Sequence, residues 1–330
     1  MPKSFVFVGH QGICQVLAQN LAAAGFPAAS DVDSADVIFT YCTSQESLEN
    51  VYLEEDGIIS KAKSGAYLVD FSAATPSLAR ELSAVAQVND LHVVEAPLVV
   101  RDVTLPNAFG NPQNLLALVA GEEADANAVA EMLAALVGTV EPCGGSGDAQ
   151  LAKCSFTIQQ IMALQAFMEA DALCRVAGGL SASVAAADRA VRAQMVSPQI
   201  ESLAHALEEN SFTSTCTVEV LLGEIETVMA CADEFNLIVP LSEAADYLLR
   251  LLATIGGVDM AASALSLVYR DEEESSKFGL DWNRAQEAYT SLGATDDYDD
   301  EDDDECDCGH HHHHHHDEED LGGFGGYSAN

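Results

Sequence analysis

The chain has 330 residues, 48% of them apolar, and its 53 acidic and 13 basic side chains give a formal net charge of -40. That length exceeds the usual size of one domain and the apolar share suffices for a buried core, so about two domains are expected. The charge argues against phosphate backbones and anionic bilayers, leaving no nucleic acid and no membrane as expected partners.

The first strand-like run, "FVFVG" at residues 5–9, is too short for a signal peptide, and no stretch approaches about 18 uninterrupted apolar residues. A soluble, cytoplasmic protein is expected. Nine cysteines, scattered singly except for Cys306 and Cys308, suit reduced thiols better than a disulfide framework. Further β-like runs follow as "ADVIFTY", "GAYLVDF", "LHVVEAP" and "NLLALVAG", with helical stretches between them such as residues 77–88 and 124–136. Strands alternating with helices predict a doubly wound parallel sheet over residues 1–150. From residue 151 to 294 alanine- and leucine-rich segments dominate and predict an all-helical domain. Its first stretch, residues 151–174, is apolar on almost every face, as in a helix buried on all sides.

The first strand runs into Gly9-His10-Gln11-Gly12-Ile13-Cys14 and then a helix. A helix N-terminus behind a strand offers free amides and a positive dipole end to an anion, which assigns the amides of Gln11, Gly12 and Ile13 to a phosphate. The dinucleotide fingerprint G-x-G-x-x-G is only partly present, because Gln11 stands where the second glycine lets a pyrophosphate approach and Cys14 replaces the third. A second strand ending in a ribose-reading residue should follow about 20 positions on. Only "FPAASDVDS" separates the first helix from the next strand, so a full strand and helix do not fit; Asp31 and Asp33 are the available ribose carboxylates.

Lys153 is the sole charged residue within 149–168. An ammonium in so apolar a helix is desolvated, paired or set in a cleft, and desolvation suits a lysine to exchange a proton with a hydroxyl or carbonyl oxygen. The alternative is a lysine near a helix start that snorkels to solvent.

Six segments together resemble the β-hydroxyacid dehydrogenase family, to which 3-hydroxyisobutyrate dehydrogenase belongs. They are "FVGHQGICQVLAQNLAAAGF", "ADVIFTYCTS", "GAYLVDFSAATPSLARELSAVA", "LHVVEAPL", "GGSGDAQLAKCSFTIQQIMALQAFMEADAL" and "IVPLSEAADYLLRLLATIGGVDMAASAL", in the family's order. The resemblance implies a shortened Rossmann-like domain followed by an all-helical one, assembled as a homodimer through the helical domain. It implies NAD- or NADP-dependent hydride transfer to or from a small hydroxy acid, with Lys153 as the catalytic residue. Asp70, Ser72 and Pro76 match the family's D-x-S-T-x-x-P segment, which places Ser72 near the nicotinamide. Departures lie at Val99, Val100 and Arg101, where the family has serine-glycine-glycine for the substrate carboxylate, and Arg101 is a possible bidentate replacement. Phe156 and Thr157 replace asparagines, and Gly223 and Glu224 replace a lysine-aspartate pair.

Residues 295–330 carry an acidic run, a histidine run and a glycine-rich end that build no core, and a disordered tail is expected. Cys306, Cys308, His310, His311, His312, His313, His314, His315 and His316 are ligand types for a transition metal such as Ni or Zn, without a fixed four-ligand spacing. The alternative to the dehydrogenase is therefore a non-catalytic dimeric descendant whose tail stores or delivers such a metal.

Overall fold

The computed structural model describes residues 3–176 and 198–291. Strand β1 (Phe5–Gly9) leads into α1 (Gln11–Ala23), β2 (Val37–Tyr41), α2 (Gln45–Leu53) and the single turn α3 (Ile58–Lys61). Then come β3 (Tyr67–Asp70), α4 (Pro76–Val88), β4 (His92–Glu95), β5 (Leu98–Val100), β6 (Leu115–Gly121), α5 (Glu123–Leu136) and β7 (Thr139–Gly144). The strands form one sheet in the order β1-β2-β3-β4-β6-β5, with β7 also paired to β6.

Alternation along the strands sorts the side chains into two layers. Phe7 of β1 stacks on its register partner Phe39 at 4.9 Å between centroids, and Phe39 on Phe71 at 5.4 Å. These rings join Leu17 and Leu21 of α1 and Leu133 of α5 in one core cluster, while Val6, Ile38 and Leu68 face Leu48, Tyr52, Leu78 and Leu82 of α2 and α4 in a second. The expected parallel sheet is mixed: β1 to β4 run parallel, but β6 is antiparallel to both β4 and β5.

On the outer edge of β1 no full second strand forms, as the short segment between α1 and β2 leads one to expect. A single parallel bridge, Phe5 to Ala28, takes its place, with the Phe5 amide donating to the Pro27 carbonyl at 3.0 Å and the Ala29 amide to the Phe5 carbonyl at 2.7 Å. The sheet therefore ends on the strand that carries the anion loop. Beside it, against α2, lies a groove of about 510 Å³ lined by Val8, Val32, Ser44, Ser47, Asn50 and Val51 among others.

The named elements of the second half are helices, α6 (Asp148–Val176), α7 (Pro198–Glu208), α8 (Val218–Glu234), α9 (Pro240–Leu252), a 3-10 stretch (Ala262–Tyr269), α10 (Glu272–Ser276) and α11 (Asn283–Ser291), with one isolated antiparallel bridge between Thr217 and Ala261. Helix α6 departs from the all-buried expectation. Leu151, Ser155, Gln159, Ala163 and Ala166 form an exposed stripe at helical spacing, opposite the buried Cys154, Ile161, Leu164 and Met168. Those buried residues share the core cluster of the α1 face, so the helical half and the sheet bury one continuous apolar body. The tail with its cysteines and histidines lies outside the described residues.

Candidate active site

The chain turns out of β1 at Gly9, whose φ of +117° and contact with the Tyr41 carbonyl leave no room for a Cβ. His10 then caps α1, its Nδ1 accepting the Ile13 amide at 3.3 Å while its own amide donates to the Tyr41 carbonyl at 2.7 Å. Of the three amides expected to face phosphate, that of Ile13 is thus spoken for, and those of Gln11 and Gly12 remain as first-turn donors beyond the reach of a helical acceptor. Cys14 is buried, its thiol donates to the Val8 carbonyl, and burial pushes it up to about 12. It fills the strand–helix contact where the fingerprint has a glycine.

Asp70 and Ser72 form the turn after β3. The Ser72 hydroxyl accepts the Cys42 amide at 2.9 Å, its amide donates to Asp70 Oδ1 at 3.0 Å, and its carbonyl accepts from Gln150 Nε2 at 2.9 Å. Ser72 is fully buried, so it braces three segments rather than lining an open cleft. Gln150 also accepts the Ala74 amide at 2.9 Å, which ties this turn to the start of α6. Glu95 at the end of β4 accepts the Gly147 and Gln150 amides at 2.7 and 2.9 Å, supplying a negative charge at that helix's N-terminus. Burial pushes its carboxyl up, and the two amides pull the other way.

One turn further along α6 stands Lys153, 2% exposed. Its ammonium does not snorkel: Nζ donates to Glu224 Oε1 of α8 at 2.6 Å, and Thr157 Oγ1 donates to the other oxygen of that carboxylate at 3.2 Å. The two departures from the family pattern at 157 and 224 therefore meet each other and enclose the lysine. Tyr41 and Cys216 border the pair, and both are pushed well up by burial, with the Glu224 charge adding to it.

Glu95 and Gln150 went unmarked by sequence reasoning, and so did the capping role of His10; Glu224 was marked only as a departure from the family pattern, not as the partner of Lys153. Arg101 is not in this cluster; its guanidinium donates to Thr139 Oγ1 at 2.7 Å at the start of β7. Val99 and Val100 are buried in the sheet, and the Val100 carbonyl accepts from Gln160 Nε2 at 2.7 Å. Asp31 and Asp33 are exposed in a turn. Among the described residues no group of three or more His, Cys, Asp or Glu side chains is placed to hold a metal, and no helix is long and apolar enough to cross a membrane.

A sheet that presents a glycine turn and a helix N-terminus at its carboxyl edge, with a helical half closing over that edge, defines a Rossmann-type dinucleotide fold. The profile of the NAD-binding domain of 6-phosphogluconate dehydrogenase matches residues 8–145. An uncharacterized oxidoreductase of Bacillus subtilis, YkwC, is 32% identical over 120 residues, 36% of this chain and 40% of that protein. The NAD-dependent L-serine dehydrogenase of Pseudomonas aeruginosa is 30% identical over 181 residues, 53% of this chain and 58% of that enzyme. In fold, the 3-hydroxyisobutyrate dehydrogenase of Mycobacterium tuberculosis in complex with L-serine superposes with a TM-score of 0.66 at 18% identity, covering 82% of this chain and all of that one. In sequence and in fold the chain is similar to members of the β-hydroxyacid dehydrogenase family. Its alignments span less than two thirds of the length of both curated relatives.

Proposed function

We propose that the protein is an NAD(P)-dependent oxidoreductase that transfers a hydride between a nicotinamide and a small hydroxy acid. The observation that carries this reading is Lys153, a fully enclosed ammonium one turn into the helix that Glu95 and Gln150 fasten to the sheet's carboxyl edge. The residues present fit a dinucleotide at its diphosphate: Gly9 turns the chain tightly, and the Gln11 and Gly12 amides open the first helix. When bound, the nicotinamide supplies or takes the hydride. Lys153 Nζ binds the hydroxyl or carbonyl oxygen and exchanges the proton there; without a ligand the amine is held by Glu224, whose other carboxylate oxygen accepts from Thr157.

The groove beside β1 is the room left for the adenosine end. Its rim includes Glu46, Glu54 and Asp56, and its one lysine, Lys61, lies 3.4 Å from Asp56, a setting that disfavours a 2′-phosphate and so favours NAD. Assembly as a homodimer through the helical half accounts for the exposed Phe235, Leu237, Ile238, Leu241 and Tyr247. A cytoplasmic setting accords with seven free cysteines among the described residues. Nothing in the fold or in these relatives favours metal storage.

The test is a thermal-shift and turnover panel. NADH is expected to raise the melting temperature more than NADPH, and Lys153→Met to lower kcat by at least about a hundredfold while the nucleotide still binds. If neither nucleotide at millimolar concentration moves the melting temperature, the reading fails.

A further inference from the structure

Helix α8 lies over the carboxyl ends of β1 and β2 and touches, within six residues, the cap of α1, the loop after β2 and Lys153. In its first turn Glu219 Oε1 accepts from Thr43 Oγ1 at 3.0 Å, and Oε2 lies 3.8 Å from Nε2 of His10, the cap of α1. Four residues on, Gly223 lies so tightly against the Thr43 carbonyl that a built Cβ would overlap its oxygen. Next to it, Glu224 holds Lys153. The lysine that the family pattern has at 223 has no room in this contact; a glycine is what lets the helix settle onto the loop. The amides of Val218 and Glu219 donate to the Met260 and Val258 carbonyls at 2.8 and 3.0 Å, which fixes the helix start over the loops.

The sign of the charges is informative. A dinucleotide brings a diphosphate to the first turn of α1, and a hydroxy acid brings a carboxylate close to Lys153. Carboxylates of the chain itself already stand beside both places.

We propose that α8 is an internal plug: Glu219 and Glu224 stand in for the anions of the cofactor and substrate, and the cleft admits them only when α8 withdraws from the Thr43 loop. The proposal rests on the dehydrogenase reading for the identity of the ligands. Its energetic consequence is general, because a ligand that binds only an open minority has its affinity divided by the inverse of the open fraction. Loosening the plug therefore tightens binding without adding any contact.

Two substitutions in the full-length chain test this. Gly223→Ala puts a methyl into the Thr43 carbonyl and bars full closure. Glu219→Gln, at a half-buried position with less risk to folding, keeps the size and removes the charge. Hydrogen exchange read by mass spectrometry is expected to quicken in residues 42–47 and in α8 for both, and the Kd for NADH to fall, by about tenfold for Gly223→Ala, which corresponds to about 1.4 kcal/mol. If wild type binds NADH and both variants bind it no more tightly, the plug is overturned and the dehydrogenase reading stands. If wild type and variants alike bind neither NADH nor NADPH, the dehydrogenase reading falls and takes the plug with it.

Discussion

Asp70 ends β3 with its carboxyl enclosed, and burial pushes it from an ordinary 3.8 up to about 7. The bonds from Ser72 oppose that shift and the charge of Glu95 adds to it. The folded protein thus keeps a proton that the unfolded chain releases above about pH 4. The stabilisation is complete below that pH and is lost as pH rises through about 7, on the order of 4 kcal/mol at most. Asp70→Asn removes the titration and can still accept the Ser72 amide. In urea titrations at pH 5 and pH 8 the wild-type midpoint should drop by more than that of Asp70→Asn, leaving the variant the more stable at pH 8; parallel curves would refute the assignment. Visibility of the site from sequence also divides at this scale. Lys153 stands out because a lone charge breaks a long apolar run, but its partner sits 71 residues away and is one of 53 acidic side chains; the family pattern marks Glu224 as a departure, and nothing local pairs it with the lysine. His10 as a cap was equally hidden, since its effect depends on the backbone angle set by Gly9.

Between β1 and α1 one residue sets the geometry of the whole element pair. Gly9 combines a left-handed φ with contact against the Tyr41 carbonyl, so Gly9→Ala incurs both strain and overlap. The expected loss is about 3 kcal/mol, at the upper end for a single substitution. It would be read as a lowered urea midpoint with an unchanged slope, together with weaker NADH binding because the first turn of α1 is displaced. A variant as stable as wild type would mean that the turn has slack the geometry does not show. The same element scale explains which strands could be read in advance. The five expected runs each join apolar or β-branched residues between turn signals, and each becomes a strand. Strand β5 is three residues long and begins directly after Pro97, where the run that carries β4 ends, so it is too short to read as a strand of its own. Strand β7, "TVEPCG", contains a proline, a glutamate and a glycine, is mostly exposed, and exists because β6 offers it a parallel edge. The mixed direction of the sheet enters at β6, which runs antiparallel to β4 and β5 in one continuous register across the Ala96-Pro97 link and offers its other edge to β7. Pairing direction leaves no periodicity in a sequence.

Across the whole molecule, a net charge of -40 sets the terms on which an anionic cofactor arrives. Here the mouth of the cleft presents Glu219 from α8, Glu46 from α2 and Glu54 just beyond it, while Lys61 is opposed by Asp56. Repulsion between like charges slows encounter, and it is screened over about 10 Å at 0.1 M salt and about 3 Å at 1 M. The association rate constant of NADH should therefore rise with ionic strength, by roughly threefold or more between about 0.02 and 0.3 M salt, opposite to the fall expected of an attractive site. Deleting residues 296–330, which removes 14 acidic side chains and no basic one, should raise the low-salt rate and flatten the salt response. Stopped-flow nicotinamide fluorescence on both proteins measures this directly. A rate that falls with salt in the full-length chain would mean that a local cationic field at the cleft outweighs the global charge, and that the carboxylates of α8 do not face the incoming diphosphate.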